Sequence, residues 1–255
     1  MLAAFASVVV VAAAAALIWW TSDARATISR PAAGPAPSPR LAREVPASLK
    51  QLWTAPNAPT DQPVVVAGTV VTADERAVLG RDPVTGQVRW SYSRSSELCG
   101  VAGVYRFAVA VYRDDRGCGQ VSTIEGPTGS RGPARSSYAD QRVNLSSDGT
   151  TVLSAGDTRL ELWRSDMVRM LSYGEIDARV KPSAKGMHTG CRLTSAAASS
   201  SAVSVLEACG RQADLRLTLL RPSKEEDEPE QHDGHERQDG GGRPRVRTQV
   251  PEDVR

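Results

Sequence analysis

The chain has few of the residues that most often carry chemistry. Of its 255 residues only three are His and two are Phe, and aromatic residues make up 5%. No two cysteines are adjacent, and no cysteine pair has the C-x2-C spacing that is typical of zinc sites. No G-x-S-x-G nucleophile elbow is present either. We therefore expect no catalytic residues and no metal site.

The balance of charge also excludes a class of partner. Lys and Arg total 31 against 29 Asp and Glu, so the net charge is +2. Such a balance gives no reason to expect nucleic acid as a partner. Arg heavily outnumbers Lys, and Ala, Gly, Val and Pro are frequent, which is typical of GC-rich genomes such as those of actinobacteria.

One short segment has the spacing of a turn between two strands. Asp82 and Pro83 open it, Thr85 and Gly86 follow, and Trp90 comes four residues after the glycine. Pro83 fixes φ and Gly86 can supply a positive φ, so that Trp90 alternates onto the buried face of the next strand. An ordinary hairpin turn is the alternative interpretation.

A second copy of the turn makes a repeat more plausible than a single hairpin. Glu125 takes the position of the Asp, and Thr128 and Gly129 return at the same offsets. Asp82 and Glu125 are 43 residues apart, within the period of roughly 40–50 residues of four-stranded blades. The second copy is degenerate, because the Trp position falls on Pro133.

This repeat resembles the blade signature of pyrroloquinoline-quinone (PQQ) dehydrogenases and their non-catalytic relatives. The resemblance implies an all-β protein, a β-propeller of PQQ-like blades. Residues 50–222 would hold about four blades at roughly 45 residues each, either as a complete propeller or as part of a truncated larger one. Strand-like segments separated by Gly, Asp or Ser run through this region.

The function implied by the resemblance depends on residues that this chain lacks. Enzymes of the family carry a vicinal disulfide over the quinone and carboxylate and Asn ligands for calcium, and neither is recognisable here. We therefore expect no cofactor and a non-catalytic binding or scaffolding role toward an unknown envelope protein or ligand. A PQQ-dependent periplasmic dehydrogenase and an envelope protein assembly factor are the alternatives.

The N-terminus contains an apolar segment without charge. Residues 1–22 predict a transmembrane helix or signal anchor, with the lipid bilayer as partner, because the run from Leu2 to Trp20 is long enough to cross about 30 Å. A signal peptide cleaved near Ala24-Arg25-Ala26 is the alternative. Residues 23–49 are rich in Pro and Ala and predict an extended spacer.

Four cysteines fall into two pairs of similar spacing. Cys191 and Cys209 flank a serine-rich hairpin tip at residues 199–201, and Cys99 and Cys118 are separated similarly. We predict the local disulfides 99–118 and 191–209, with four buried thiols as the alternative. Disulfides need an oxidising compartment. The sequence thus predicts a single-pass protein of the cell membrane with most of the chain extracytoplasmic.

The composition changes sharply after residue 222. Residues 223–255 begin with an acidic run and continue without any aromatic residue, a composition that cannot bury enough apolar surface to fold. We expect a charged disordered tail. Two origins stay open, a solvated linker and the translation of GC-rich DNA in a wrong frame.

Overall fold

The computed structural model describes residues 2–38, 43–58, 60, 62–175, 190–210 and 214–222. Helix α1 spans Leu2–Thr21, and a single turn, α2, spans Asp23–Ala26. In the described part of the chain, no helix has both the length and the hydropathy to cross a membrane, so the predicted transmembrane helix is not found. The predicted tail, residues 223–255, lies outside the described residues.

Strands form four antiparallel sheets over the described residues, and we number the sheets in chain order. Sheet 1 has the order β1-β5-β4-β3-β2, while the strands of sheets 2 to 4 follow one another in sequence. The strands of sheet 1 are β1 (Ile28–Arg30), β2 (Val64–Val66), β3 (Thr69–Asp74), β4 (Ala77–Arg81) and β5 (Val88–Ser93). Those of sheet 2 are β6 (Leu98–Val104), β7 (Phe107–Asp114), β8 (Gly117–Glu125) and β9 (Arg131–Ser136). Those of sheet 3 are β10 (Asn144–Ser147), β11 (Thr151–Ala155), β12 (Arg159–Arg164) and β13 (Arg169–Gly174). Those of sheet 4 are β14 (Cys191–Ala198), β15 (Val203–Cys209) and β16 (Asp214–Leu220).

Short polar turns connect the strands. The turn between β10 and β11 is an example of how a carboxylate holds such a turn. The Asp148 carboxylate accepts the backbone N–H groups of Thr150 at 2.8 Å and Thr151 at 2.7 Å. Burial alone would raise the pKa of Asp148, but the N–H bonds of Thr151 and Thr150, helped by their hydroxyls, lower that pKa to about 2. The other carboxylate oxygen accepts the N–H of Ser200 at 2.9 Å, which ties sheet 3 to the hairpin tip of sheet 4.

Alternating side chains of consecutive sheets build three apolar clusters. The first lies between sheets 1 and 2 and includes Trp90, Tyr92 and Tyr112. The second lies between sheets 2 and 3, and the third between sheets 3 and 4. The described part of the chain is mostly β, as predicted, and its sheets follow one another as the blades of a β-propeller do, but within the described residues they are not closed into a ring.

Part of the segment predicted as a spacer is attached to the sheets. Strand β1 pairs with the outer edge of β5, from Ile28 opposite Ser93 to Arg30 opposite Ser91. Beyond it, the N–H of Ala32 donates to the carbonyl of Thr128 at 2.8 Å. Alanines between prolines keep the backbone donor that proline lacks, so such a segment can still join a sheet edge.

Candidate functional site

The first repeat turn is held by its own acidic side chain. The Asp82 carboxylate accepts the backbone N–H groups of Val84 and Thr85, both at 2.9 Å. These bonds, with that of Thr85 the stronger, lower the pKa of Asp82. Gly86 closes the turn at φ +72°, and its N–H donates to the carbonyl of Asp82 at 2.9 Å. The turn is a structural element whose polar groups bond one another.

The second repeat turn receives the tryptophan of the first repeat. Trp90 is 1% exposed, and its indole N–H donates to the carbonyl of Gly126 at 2.7 Å. The Thr128 hydroxyl donates to the Glu125 carboxylate in this turn. Gly129 has φ +74°, and a Cβ there would overlap the side chain of Trp90. The two copies of the repeat thus meet across the junction between sheets 1 and 2.

Trp53 contacts the first repeat turn in the same way that Trp90 contacts the second. Its indole N–H donates to the carbonyl of Pro83 at 3.0 Å, one residue after Asp82, as Gly126 is one residue after Glu125. A Cβ on Gly86 would lie 2.7 Å from Cγ of Trp53. This role of Trp53 was not predicted from the sequence, although its position 37 residues before Trp90 was a usable signal.

The structure contains both disulfides that the hairpin argument predicts. Cys99 bonds Cys118 with the Cα atoms 6.0 Å apart, and Cys191 bonds Cys209 with the Cα atoms 4.2 Å apart. Cys191 and Cys209 lie directly opposite each other on β14 and β15. In the chain-entropy description, each bridge closes a loop worth about 3 kcal/mol.

A buried carboxylate joins sheets 3 and 4 beside the second disulfide. Glu207 is 0% exposed, and one of its oxygens accepts hydrogen bonds from the hydroxyls of Tyr173 and Thr218, both at 2.8 Å, and from the guanidinium of Arg216 at 2.7 Å. Burial raises the pKa of this carboxyl, but the bonds from Tyr173, Thr218 and Arg216 outweigh it and lower the pKa. Glu207 is therefore a charged link in the interface between the two sheets.

The disulfide between Cys191 and Cys209 leaves no thiolate at this place for a metal ion. Ligand-type atoms of Cys191, Glu207 and Cys209 lie within 4.8 Å of one another. The two sulfur atoms are bonded to each other, whereas a metal is held by thiolates. The oxidised protein uses this cluster as a structural junction.

A cavity of about 460 Å³ opens between sheets 3 and 4. Strands β10 and β11 form one wall and β14 forms the other. Its lining is mainly polar, with Arg142, Asn144, Ser146, Asp157, Arg192 and Thr194 among the residues. Because β10 and β14 each lie at the end of their sheet, the cavity also runs beside two strand edges. Such edges offer backbone donors and acceptors to an extended ligand.

Two arginines give the cavity its capacity to bind an anion. Arg192 pairs with Asp157 across the cavity at 3.6 Å, and both side chains are about 70% exposed (72% and 68%). An exposed pair of this kind contributes about 0–1 kcal/mol, so an incoming carboxylate can replace Asp157 at small cost. Arg142 is exposed on the opposite wall.

The wall that carries Asp157 is fixed by a neighbouring carboxylate. Asp140 accepts the backbone N–H of Thr158 at 2.9 Å and the Thr158 hydroxyl at 2.7 Å. The carbonyl of Asp157 accepts the N–H of Leu193 at 2.7 Å, which binds the turn to β14. These contacts fix the position of the turn at Asp157 and of β14, the strand that carries Arg192. This cavity could not be predicted from the sequence, because Arg142 and Arg192 are 50 residues apart and no motif surrounds either of them.

No protein-family model matches the chain, and no curated protein sequence does so either. Among solved structures, the chain is similar to the computationally designed Ika4 protein, with 15% identity and a TM-score of 0.45 over 70% of this chain and 100% of that one. It is also similar to BamB from Moraxella catarrhalis, with 16% identity and a TM-score of 0.43, over 64% of this chain and 45% of BamB. The designed Ika8 protein is similar at 14% identity and a TM-score of 0.41, again over 64% and 45%. The chain thus spans about half the length of BamB and of Ika8.

Proposed function

We propose that this protein is a non-catalytic binding module of the extracytoplasmic cell envelope, and that it binds acidic peptide segments in the cavity between sheets 3 and 4. The observation that carries the proposal is the placement of Arg142 and Arg192 on facing walls of one polar cavity. Arginine binds carboxylates in a planar, bidentate geometry, so two of them favour a ligand with closely spaced carboxylates.

The strand edges favour a peptide as the carrier of those carboxylates. Strands β10 and β14 lie at the ends of their sheets beside the cavity. An extended peptide can bond to backbone groups of an edge strand while its alternate side chains reach the arginines. Thr194 and Asn144 add polar side chains along the same path.

The two disulfides support the extracytoplasmic part of the proposal. Disulfides persist in oxidising compartments and are rare in the cytosol. Each bridge lies within one sheet: Cys191–Cys209 joins the paired strands β14 and β15, and Cys99–Cys118 joins β6 and β8 on either side of β7. Each therefore reinforces a sheet that the proposal places outside the cytoplasm.

Attachment to the bilayer through the N-terminal apolar segment belongs to the same proposal. Side chains of α1 from Val8 to Val11 and from Leu17 to Trp20 are at least half exposed. An apolar surface of this kind suits a lipid environment. Alkaline carbonate extraction of membranes tests it: we expect the protein in the pellet, and complete release into the supernatant would contradict attachment.

Peptide binding is tested by fluorescence anisotropy with a labelled hexaglutamate peptide. We expect the change Arg142→Gln or Arg192→Gln to weaken binding about tenfold, because each removes one charge-assisted contact. Arg76→Gln is the matched control, since Arg76 is exposed on the turn between β3 and β4 of sheet 1. Equal binding of a hexaserine peptide, or equal affinity in all three variants, would contradict the proposal.

A further inference from the structure

Sheet 4 carries an apolar face that no sheet covers in the described part of the chain. On sheet 2 the residues that point toward the next sheet, Val109 and Val111, are 0% exposed under sheet 3. On sheet 4 the corresponding side of β15 and β16 holds Leu206 opposite Leu217, both only half buried, and Leu215, which is 45% exposed. This leucine face is thus built like a sheet-to-sheet interface.

Sheet 1 has a second uncovered face at the other end of the array. Val64 and Val66 point toward sheet 2 and are buried, whereas Val65 between them points away and is 64% exposed. Val70, directly opposite Val65 on β3, is half buried on the same side. This valine face is the counterpart of the leucine face, because every junction inside the array joins two such faces.

Sheet 4 is also one strand shorter than sheets 2 and 3 within the described residues. The missing position is the one next to β16. In sheet 1 the strand at that position is β5, which carries Trp90 into the turn of the following sheet. Trp53 makes the same contact with the turn of sheet 1. The segment 51–56 therefore stands where the fourth strand of a preceding sheet stands.

We propose that a second copy of this chain completes the array. Residues 51–56 of one copy pair with the edge of β16 in the other, which no described strand covers, and the valine face of the first copy packs on the leucine face of the second. The same contact is made twice, so two copies close one ring of eight sheets. A head-to-tail contact that closes in this way gives a finite dimer instead of a filament.

The partner is a second copy because sheets 1 and 4 of one chain do not pack on each other in the described residues. The segment 51–56 is bound to its own sheet 1 through Trp53, and the next residue, Asn57, accepts the N–H of Ala73 with its side-chain oxygen at 2.9 Å. In the part of the chain that the structure describes, the sheets are not closed into a ring. The segment can therefore supply a fourth strand to another molecule while it keeps its place on sheet 1.

Sedimentation equilibrium of the full-length protein in density-matched detergent tests the proposal. We expect a protein mass of twice 27.2 kDa. The change Leu217→Glu charges the leucine face, and Thr54→Pro removes a backbone donor from the pairing segment, so we expect each to raise the dissociation constant at least tenfold. Val84→Glu, at a 65% exposed turn position, is the matched control and keeps the parent's mass.

A mixing experiment separates a specific contact from loss of folding. Leu217→Glu leaves the pairing segment intact, and Thr54→Pro leaves the leucine face intact, so the two variants together can form one of the two contacts. We expect an equimolar mixture to form a 1:1 complex that neither variant forms with itself. A mixture that stays monomeric, with both variants showing the parent's disulfides, would overturn the proposal.

Two further results would overturn it as well. A parent protein that stays monomeric at 100 micromolar has no such contact, and a parent that forms open-ended polymers does not close with two copies. If the parent becomes dimeric only after deletion of residues 223–255, the chain's own C-terminal segment covers the face.

Discussion

The indole N–H of Trp90 donates to the carbonyl of Gly126 at 2.7 Å, across the junction between sheet 1 and sheet 2. The bond is buried, and the ring of Trp90 lies against Gly129 of the same turn. Two residues that are 36 positions apart in the sequence thus couple the packing of one sheet to the turn of the next.

Truncation of this tryptophan should destabilise the protein strongly. We expect Trp90→Ala to lower the free energy of unfolding by about 3–5 kcal/mol, as for other buried aromatic side chains. Trp53→Ala should cost only about 1–2 kcal/mol, because Trp53 makes the same contact while half exposed. Urea unfolding measures both, and equal midpoints for Trp90→Ala and the parent would contradict the interface.

Gly129, which packs against Trp90, should not tolerate a side chain. Gly129 and Gly149 both have a positive φ, +74° and +88°, but only Gly129 is packed against another side chain, whereas a Cβ on Gly149 meets nothing within 4 Å. We expect Gly149→Ala to cost about 1–2 kcal/mol from backbone strain alone. Gly129→Ala should cost clearly more, because Trp90 must also move. Thermal unfolding of the pair checks this difference, and equal losses would contradict the contact.

Local features of the fold could be predicted from the sequence, since they depend on neighbours in the chain. The turn at Asp82 and Gly86 follows from short-range hydrogen bonds and one positive φ. The bridge between Cys191 and Cys209 follows from a hairpin whose tip is rich in serine. The cysteines of each bridge are fewer than 20 positions apart in the chain, so their pairing depends on local structure.

Contacts between distant segments could not be predicted from the sequence. Strand β1 was missed because Pro and Ala favour an extended chain without saying which edge it joins. The cavity was missed because Arg142 and Arg192 line the same cavity only after sheets 3 and 4 have packed. The uncovered faces of sheets 1 and 4 are likewise visible only once the order of the sheets is known.

The buried carboxylate of Glu207 should make stability depend on pH. Its pKa is lowered from its ordinary value of 4.5, so the stabilisation that its charge provides is complete above pH 4.5 and is lost as the pH falls through the lowered value. We expect Glu207→Gln to lower the free energy of unfolding at pH 7 by about 1.5–3 kcal/mol, and the difference from the parent to shrink below pH 4.5.

The matched control for this change is Glu97→Gln. Glu97 pairs with Arg113 at 2.8 Å while 59% exposed, so its removal should change stability by less than about 1 kcal/mol. Melting temperatures between pH 7 and pH 3 test the comparison. A loss for Glu207→Gln that is constant over this range would show that the charge of Glu207 does not stabilise the interface.

The central claim, a disulfide-linked β-sheet module outside the cytoplasm, is tested most directly by the oxidation state of its cysteines in the cell. Free thiols are trapped in intact cells by alkylation, and the purified protein is then mapped by non-reducing peptide mass spectrometry. We expect no alkylated cysteine and two linked peptide pairs, Cys99 with Cys118 and Cys191 with Cys209. Four alkylated cysteines would contradict the proposed compartment, and a bond between Cys118 and Cys191 would contradict the arrangement of the sheets.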